Sequence, residues 1–255
     1  MDARATLIYL LRHGEVTLAR PRRFIGHLDV PLSGEGERQC AAQATRLAAV
    51  DLAAVFTSDL CRARRSGEIV GAPHGLRPHA LPALREMAMG RWDGLTSGEI
   101  EQREPGAFAE WRAHVGEFAF PEGESVGDLV ARAWPAFEEI VATYPGRAVA
   151  IVAHGGTNRA LLCRALGLPL ARLLSFSQDY AALTVLARDR ADWRVIRLTS
   201  WLVALYRRAR PRPARVASDR YAWAFCIVVQ RGWRVKNTRG LSASEREPSS
   251  NEGGE

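Results

Sequence analysis

Short apolar runs alternate with amphipathic stretches along the first 200 residues, a pattern that predicts an α/β fold. Residues 6–11 and 148–153 are apolar throughout, as expected for strands covered on both faces. Residues 54–58 form a further strand candidate, and 185–187 and 193–198 are two late ones. We therefore expect a three-layer α/β/α sandwich with a mostly parallel central sheet.

Three helices are marked by their start and stop signals. Ser33 is a suitable cap for a helix that runs to about residue 50. Ser125 and Asp128 form a capping-box pattern ahead of a stretch with apolar residues at helical spacing. A third helix is predicted at about 157–166 and should end at Gly167. These helices alternate with the strands, as the predicted sandwich requires.

The composition is that of an ordinary globular protein, with 47% hydrophobic and 25% charged residues in 255. It excludes collagen-like, disordered and disulfide-stapled chains. No apolar run reaches the ~18 residues of a membrane-spanning helix, and the first apolar run lacks the small-residue cleavage site of a secretory signal. The four cysteines are scattered without a CxxC pair, so we expect reduced thiols, no zinc site and a cytoplasmic protein.

The net charge of +7 is concentrated at the C-terminal end. Residues 201–255 hold 11 Arg and Lys against 5 Asp and Glu, which leaves about one net charge for the first 200. We therefore divide the chain into a catalytic domain, 1–200, and an Arg-rich, largely disordered extension, 201–255. Nucleic-acid binding is not expected, because no aromatic residues interleave with the arginines of 207–215.

Charged and imidazole side chains follow three of the predicted strands. Arg12 and His13 end the first, His154 follows 148–153, and Arg62 lies in the first turn of the helix after 54–58. Ligands of open α/β sheets bind beyond the carboxyl ends of the strands, so neighbouring parallel strands would aim both imidazoles into one pocket. Helix N-termini favour anions, and the combination predicts a phosphate site.

Each of these residues also has a purely structural interpretation. A single histidine at a strand end is more often structural than catalytic. Arg62 fits a solvated helix face, and Glu86 fits a surface carboxylate. Independent structural causes would not place all of them at these points of a strand-and-helix order, which favours the functional interpretation.

With these residues the sequence resembles the histidine phosphatase superfamily, which includes the cofactor-dependent phosphoglycerate mutases and the α-ribazole phosphatases. The resemblance covers about residues 5–200. It rests on six segments in family order: LRHGE at 11–15, RFIG at 23–26 with DVPLS at 29–33, TSDLCRA at 57–63, EMAMGRWDG at 86–94, PEGES at 121–125 and VAHGG at 152–156.

The resemblance implies a role for each candidate residue. His13 would attack phosphorus through one ring nitrogen and become a phosphohistidine, while its other ring nitrogen donates a hydrogen bond to a backbone carbonyl. Arg12 and Arg62 would hold the phosphoryl oxygens, and His154 would stabilise the developing charge. Glu86 would protonate the leaving oxygen and then deprotonate water. No metal and no cofactor are expected, since the arginines neutralise the charge.

Departures from the family pattern favour a phosphatase over a mutase. Residues 86–90 lack the polar groups that mutases carry there, and Lys236 is the only lysine. Val16 and Ala19 stand where the family often has Thr and Asn. One ancillary phosphate contact is therefore missing unless Thr17 replaces it.

The expected function is a metal-independent phosphomonoesterase acting on a small phosphorylated metabolite, such as α-ribazole 5′-phosphate or a phosphosugar. Phosphoglycerate mutase is the alternative enzyme, and a binding module acting through the basic extension is the alternative of another class. Arg23 and Gly26 are candidate substrate contacts. The aromatic segment 106–122 fits a lid and ordinary packing equally well. No membrane partner is expected, and a homodimer is left open.

Overall fold

The computed structural model describes residues 5–190 and 192–199, and in that part of the chain six strands form one sheet. The strands are β1 (Thr6–Arg12), β2 (Leu52–Thr57), β3 (His79–Ala80), β4 (Ala148–Ala153), β5 (Leu183–Asp189) and β6 (Asp192–Thr199). Their spatial order is β3-β2-β4-β1-β5-β6. All five predicted strands are present, with ends that differ by at most two residues.

Six α-helices connect or flank the strands in the described residues. They are α1 (Gly34–Leu47), α2 (Cys61–Gly71), α3 (Ser97–Arg103), α4 (Ala107–Ala113), α5 (Val126–Thr143) and α6 (Gly155–Ala165). Ser33 caps α1 by accepting the Gly36 N–H, and Ser125 with Asp128 forms the capping box of α5. Gly167 takes a left-handed conformation just after α6, as its predicted end requires.

The strand directions place three carboxyl ends at one edge of the sheet. β4 is parallel to β1 on one side and to β2 on the other, and Arg12 at the end of β1 is level with Ala153 at the end of β4. β5 and β6 are antiparallel additions beyond β1. The prediction of a mostly parallel sheet is therefore confirmed, with an antiparallel hairpin at one edge.

Alternate residues of β4 separate the two faces of the sheet. Val149 and Ile151 pack with α5 and α6 residues such as Phe137 in one buried apolar cluster. Ala150 and Val152 belong to a second cluster that contains Leu47 of α1 and Val70 of α2. A strand covered on both faces has to be apolar at every position, and this explains the run AVAIVA. The three-layer α/β/α prediction is confirmed.

Three further expectations concern the C-terminal extension, membrane helices and the cysteines. The predicted disordered extension, 201–255, lies outside the described residues. None of the described helices is long and apolar enough to cross a membrane. Cys40, Cys61 and Cys163 form no disulfide among the described residues.

Candidate active site

The two predicted histidines meet at the carboxyl edge of the sheet. The ring centroids of His13, after β1, and His154, after β4, lie 5.1 Å apart in an edge-to-face arrangement. Arg62 lies in the first turn of α2, after β2, and is almost completely buried. The structure thus brings together the residues that the strand ends predicted.

His13 is held as a neutral imidazole with a defined tautomer. Its Nδ1 lies 2.7 Å from the Gly14 carbonyl oxygen, and because a carbonyl only accepts, Nδ1 carries the proton. Burial lowers the pKa of His13 well below its usual value, and the charges of Arg62 and Arg12 lower it further. The lone pair of Nε2 is therefore free at neutral pH.

Gly14 sets how closely α1 approaches the nucleophile. A Cβ at this position would collide with the Gly36 carbonyl of α1, so only glycine permits the contact. The N–H of Gly14 donates to the Ser66 hydroxyl of α2 at 3.2 Å. The backbone that carries His13 is thereby fixed from both helices on this face of the sheet.

Two arginines, the buried Arg62 and the half-buried Arg12, are anchored to backbone carbonyls at their outer nitrogens. Arg12 Nη1 donates to the Gln178 carbonyl at 2.6 Å, and its guanidinium lies 4.0 Å above the Tyr180 ring. Arg62 donates to the carbonyls of Leu28 at 2.8 Å and Gly26 at 2.7 Å. The Nε atoms of both arginines are buried and have no partner in the described part of the chain. Burial lowers the pKa of both guanidinium groups.

His154 is positioned by a serine that the sequence analysis did not single out. Its Nε2 lies 2.7 Å from Ser58 Oγ, and Ser58 Oγ also accepts the Leu60 N–H at 3.4 Å. Nε2 is the only acceptor available to the hydroxyl proton among the described residues, so we assign the hydroxyl as the donor and the proton of His154 to Nδ1. That Nδ1 is buried and without a partner among the residues described. Burial, Arg62 and His13 lower the pKa of His154 well below its usual value.

Glu86 is fastened to the first turn of α6. Its Oε1 accepts the N–H groups of Met87 and Thr157, both at 3.0 Å, and its Oε2 accepts the Gly156 N–H at 2.9 Å. A Cβ on Gly156 would lie 2.5 Å from Oε1, so this approach also requires glycine. Oε2 has fewer donors than Oε1 and is the oxygen best placed to exchange a proton.

A further arginine, Arg132, clamps the backbone of the loop that carries Glu86. Arg132 of α5 donates to the carbonyls of Ala83, Arg85 and Glu86 at 2.8–3.0 Å and forms a paired contact with Glu124. Glu124 also accepts the backbone N–H of Ala88 at 2.8 Å. This arrangement gives the PEGES segment a physical role that its sequence did not reveal.

The two candidate substrate contacts, Arg23 and Gly26, make hydrogen bonds within the protein. Arg23 Nη1 donates to Glu99 at 2.9 Å and to the Gly94 carbonyl at 2.7 Å. Gly26 binds Arg62 through its carbonyl and donates its N–H to Asp93 at 2.5 Å. Gly26 thus supports the anchoring of Arg62, and both substrate contacts stay predictions.

The aromatic residues of segment 106–122 pack against one another around Phe24 and Trp92. Ring centroids in this cluster lie 5.2–6.2 Å apart, mostly edge to face, and its other members are Phe108, Trp111, Phe118 and Phe120. The contacts are those of ordinary packing, and the lid stays a prediction.

Sequence reasoning missed Ser58, Gln178, Tyr180 and Arg132. Ser58 directly follows β2 and lies in the quoted segment TSDLCRA, so its position was a usable signal. Gln178 and Tyr180 belong to a loop before β5 that carries no motif. Among the residues described, no group of three or more His, Cys, Asp and Glu side chains is arranged to hold a metal ion.

Comparison with known proteins places the chain among phosphate-processing enzymes. Residues 8–200 match the family model described as histidine phosphatase superfamily (branch 1). A glucosyl-3-phosphoglycerate phosphatase of Mycobacterium tuberculosis is 36% identical over 176 residues, covering 66% of this chain and 78% of that protein. A Cronobacter sakazakii protein named “Probable phosphoglycerate mutase GpmB” is 32% identical over 64% of this chain and 75% of its own length.

A solved structure shares the fold as well. The mycobacterial glucosyl-3-phosphoglycerate phosphatase in complex with inorganic phosphate superimposes with a TM-score of 0.65 at 33% identity. The match covers 74% of this chain and 94% of that one.

Proposed function

The chain belongs to the histidine phosphatase superfamily, and from that premise we propose that it hydrolyses small phosphomonoesters through a phosphohistidine at His13. The observation that carries the proposal is the ring of unpaired donors around a neutral imidazole. Arg12 Nε, Arg62 Nε and His154 Nδ1 are buried without partners in the described structure. The His154 ring lies 5.1 Å from the His13 ring, and both arginines are close enough for their charges to lower the pKa of His13. A buried polar group without a partner costs about 1–3 kcal/mol, and the oxygens of a phosphoryl group supply the missing acceptors.

In the first step His13 Nε2 attacks phosphorus. The new P–N bond forms as the bond to the ester oxygen breaks, and the leaving oxygen takes a proton from Glu86 Oε2. Arg12, Arg62 and His154 donate to the phosphoryl oxygens throughout. Their hydrogen bonds to charged oxygens strengthen as charge develops, which lowers the barrier.

In the second step water replaces the histidine. Glu86, now ionised, takes a proton from water as the water oxygen attacks phosphorus and the P–N bond breaks. Inorganic phosphate leaves, His13 returns to its neutral form and Glu86 is protonated again. The N–H groups of Met87, Gly156 and Thr157 hold the carboxylate in place for this step.

We propose hydrolysis rather than phosphoryl transfer between substrate hydroxyls. The stretch after Glu86 consists of Met87, Ala88 and Met89, which have no polar side chains. The N–H of Met87 donates to Glu86 and that of Ala88 donates to Glu124. One relative is named a probable phosphoglycerate mutase, which favours the alternative enzyme. Isomerisation without phosphate release would support that alternative. The substrate candidates are α-ribazole 5′-phosphate, phosphosugars and, by similarity to the mycobacterial relative, glucosyl-3-phosphoglycerate.

The test is phosphate release from a panel of phosphomonoesters with EDTA present. The panel contains these candidates, p-nitrophenyl phosphate and 3-phosphoglycerate, the last also assayed for isomerisation. We expect release by the wild type and none by His13→Ala, with His114→Ala, an exposed histidine, as the matched control. Release by His13→Ala at the wild-type rate would contradict the proposal. Binding through the basic extension, the alternative of another class, would instead be lost on truncation after residue 200 while phosphate release survives.

A further inference from the structure

Gln39 lies in the second turn of α1 and takes no part in the steps above. Only 6% of this residue is exposed, although its side chain is polar. Its Oε1 accepts the backbone N–H of Glu15 at 3.0 Å. A buried side-chain amide has to be matched to polar partners, and here the partner is a backbone group two residues from His13, the nucleophile of the proposed function.

The peptide group that joins Gly14 to Glu15 connects Gln39 to His13. Its carbonyl, at Gly14, accepts the proton of His13 Nδ1 at 2.7 Å. Its N–H, at Glu15, is the one that donates to Gln39. Both polar atoms of a single peptide group are therefore used, one by the imidazole and the other by the glutamine. A chain of two hydrogen bonds thus runs from the nucleophile to α1.

Close packing of α1 on this peptide group brings Gln39 within reach. A Cβ on Gly36 would collide with the Glu15 carbonyl oxygen and lie 2.8 Å from the Glu15 nitrogen, so a side chain there would push the helix away. Gln39 follows three residues later, on the same side of the helix. The Ser33 N–H donates to the Glu15 carbonyl at 2.8 Å. The backbone of Glu15 is thereby held at both its N–H and its carbonyl.

A peptide group held in this orientation disfavours the other tautomer of His13. With the proton on Nε2, the lone pair of Nδ1 would face the Gly14 carbonyl oxygen, and two acceptors repel each other. A rotation of the peptide plane would relieve that contact. It would also turn the Glu15 N–H away from Gln39 and leave a buried oxygen without its donor. Gln39 therefore opposes a backbone movement that would let the nucleophilic nitrogen carry a proton.

The same chain of hydrogen bonds favours the ring after it has been phosphorylated. A phosphoryl group on Nε2, with the proton kept on Nδ1, gives the imidazole ring a positive charge. Hydrogen bonds in a chain polarise one another by about 10–30% per bond, so the contact to Gln39 makes the Gly14 carbonyl a stronger acceptor for that ring. This carbonyl already raises the pKa of His13, whereas burial and the charges of two arginines lower it.

We propose that Gln39 is a positioning residue for the nucleophile, which acts through the peptide group between Gly14 and Glu15. It keeps the proton of His13 on Nδ1 and supports the phosphorylated ring. The proposal rests on the proposed function, because His13 is the nucleophile only there. A purely structural role would require a side chain of this size at position 39, whereas the positioning role requires an acceptor oxygen. Gln39→Met keeps the approximate size without the oxygen, and Gln39→Glu keeps both.

The first measurement is the tautomer of His13, which requires no substrate. Nitrogen-15 NMR of histidine-labelled protein distinguishes the two ring nitrogens, and the His13 resonances are those missing from His13→Gln. We expect the Nδ1–H form in the wild type and in Gln39→Glu. In Gln39→Met the ring-nitrogen resonances of His13 should shift toward the Nε2–H form.

Gln43→Met is the matched control for the tautomer. Gln43 is also buried in α1, and its Nε2 donates to the Ala181 carbonyl at 2.7 Å. The substitution removes a buried contact between a glutamine and the backbone, but not the one at the Gly14–Glu15 peptide group. The His13 resonances should therefore stay at the wild-type positions.

The second measurement is kcat/KM for p-nitrophenyl phosphate, which reports on the steps up to phosphorylation of His13. Gln39→Met should lower kcat/KM about tenfold, because fewer molecules present a free Nε2 and the charged ring loses part of its support. Gln39→Glu should stay within about threefold of the wild type, since a carboxylate also accepts the Glu15 N–H.

Four results would overturn the positioning role. On the side of the tautomer, they are His13 resonances in Gln39→Met that match the wild type, or an equal shift in Gln43→Met. On the side of the rate, they are a wild-type kcat/KM in Gln39→Met, or a loss in Gln39→Glu as large as that in Gln39→Met.

Gln39→Glu decides if Gln39→Met does not fold by circular dichroism. A carboxylate polarises the peptide group more than an amide does, so the Nδ1 proton resonance of His13 should move downfield. An unmoved resonance would reject the role. Phosphate release separates the two proposals: no release from p-nitrophenyl phosphate by the wild type rejects the proposed function, whereas release with unchanged His13 resonances in the variants rejects the positioning role alone.

Discussion

At the scale of single residues, the site is defined by which nitrogen of each imidazole carries its proton. The Gly14 carbonyl fixes the proton of His13 on Nδ1, and the Ser58 hydroxyl fixes that of His154 on Nδ1 as well. One ring consequently presents a lone pair, and the other presents a donor. Only about 5% of His13 and 6% of Glu86 is exposed, so these hydrogen bonds meet little competition from water.

Ser58→Ala tests this assignment, with Ser58 as a positioning residue. Without the hydroxyl, Nε2 of His154 loses its partner and the ring is free to change tautomer. We expect kcat to fall about 10- to 100-fold with little change in KM, because the lost contact matters most as charge develops. Steady-state kinetics on p-nitrophenyl phosphate measure both constants.

Thr57→Val is the matched control for Ser58→Ala. Thr57 is the preceding buried residue, and its hydroxyl has no partner among the described residues. Removing that hydroxyl should leave kcat near the wild-type value. Equal effects of the two substitutions, or none from Ser58→Ala, would refute the positioning role.

At the scale of elements, strands and helix starts could be predicted wherever a local residue pattern allowed only one physical explanation. The apolar run of β4 predicted a strand buried on both faces, and the Ser125–Asp128 pair predicted the start of α5. The meeting of His13 and His154 also followed from the strand ends once β1 and β4 were parallel neighbours. Periodicity and capping locate the elements from local sequence. The rule that ligands bind beyond the carboxyl ends of the strands then locates the site.

Contacts between distant segments could not be predicted in this way. The Arg132 clamp joins α5 to the Glu86 loop across 46 positions of sequence, and no local pattern marks it. Gln178 and Tyr180 reach Arg12 from a loop without a motif. The ion pair of Arg23 with Glu99 of α3 has no local signal either, and the substrate contact of Arg23 stays a prediction. Such pairings depend on how the elements pack, which single-sequence reasoning does not supply.

At the scale of the whole molecule, the site lies where both layers of helices meet the edge of the sheet. α1 and α2 fix His13 and Arg62 from one face, and α5 and α6 fix Glu86 from the other. The cost of this arrangement is a set of cationic and imidazole groups withdrawn from water, several without partners. The folded protein should therefore be less stable than a comparable molecule with an apolar site, and its stability should depend on pH.

The pH dependence has a definite sign. Both buried histidines have a pKa far below the usual value of about 6.5, so below that pH the unfolded chain binds protons that the folded chain does not. Their contribution to stability is fully present above about pH 6.5 and is lost as the pH falls. Each histidine should lower the free energy of unfolding by up to about 1.4 kcal/mol per pH unit.

Urea unfolding between pH 7.5 and 5, without phosphate, measures this slope. His13→Gln combined with His154→Gln should remove most of it, because glutamine does not titrate. His114→Gln, at an exposed position, should leave it unchanged. A wild-type stability that rises as the pH falls through this window would contradict the neutral, buried state of the two rings.

The most direct test of the central claim is to trap the phosphorylated enzyme. Wild type and Glu86→Gln are mixed with p-nitrophenyl phosphate, quenched within milliseconds under alkaline conditions that preserve phosphohistidine, and digested for mass spectrometry. We predict a phosphoryl group on His13, at higher occupancy in Glu86→Gln because p-nitrophenolate leaves without an acid while water still needs a base. A phosphoryl group on any other residue, or turnover with no phosphorylated species in either protein, would contradict the mechanism.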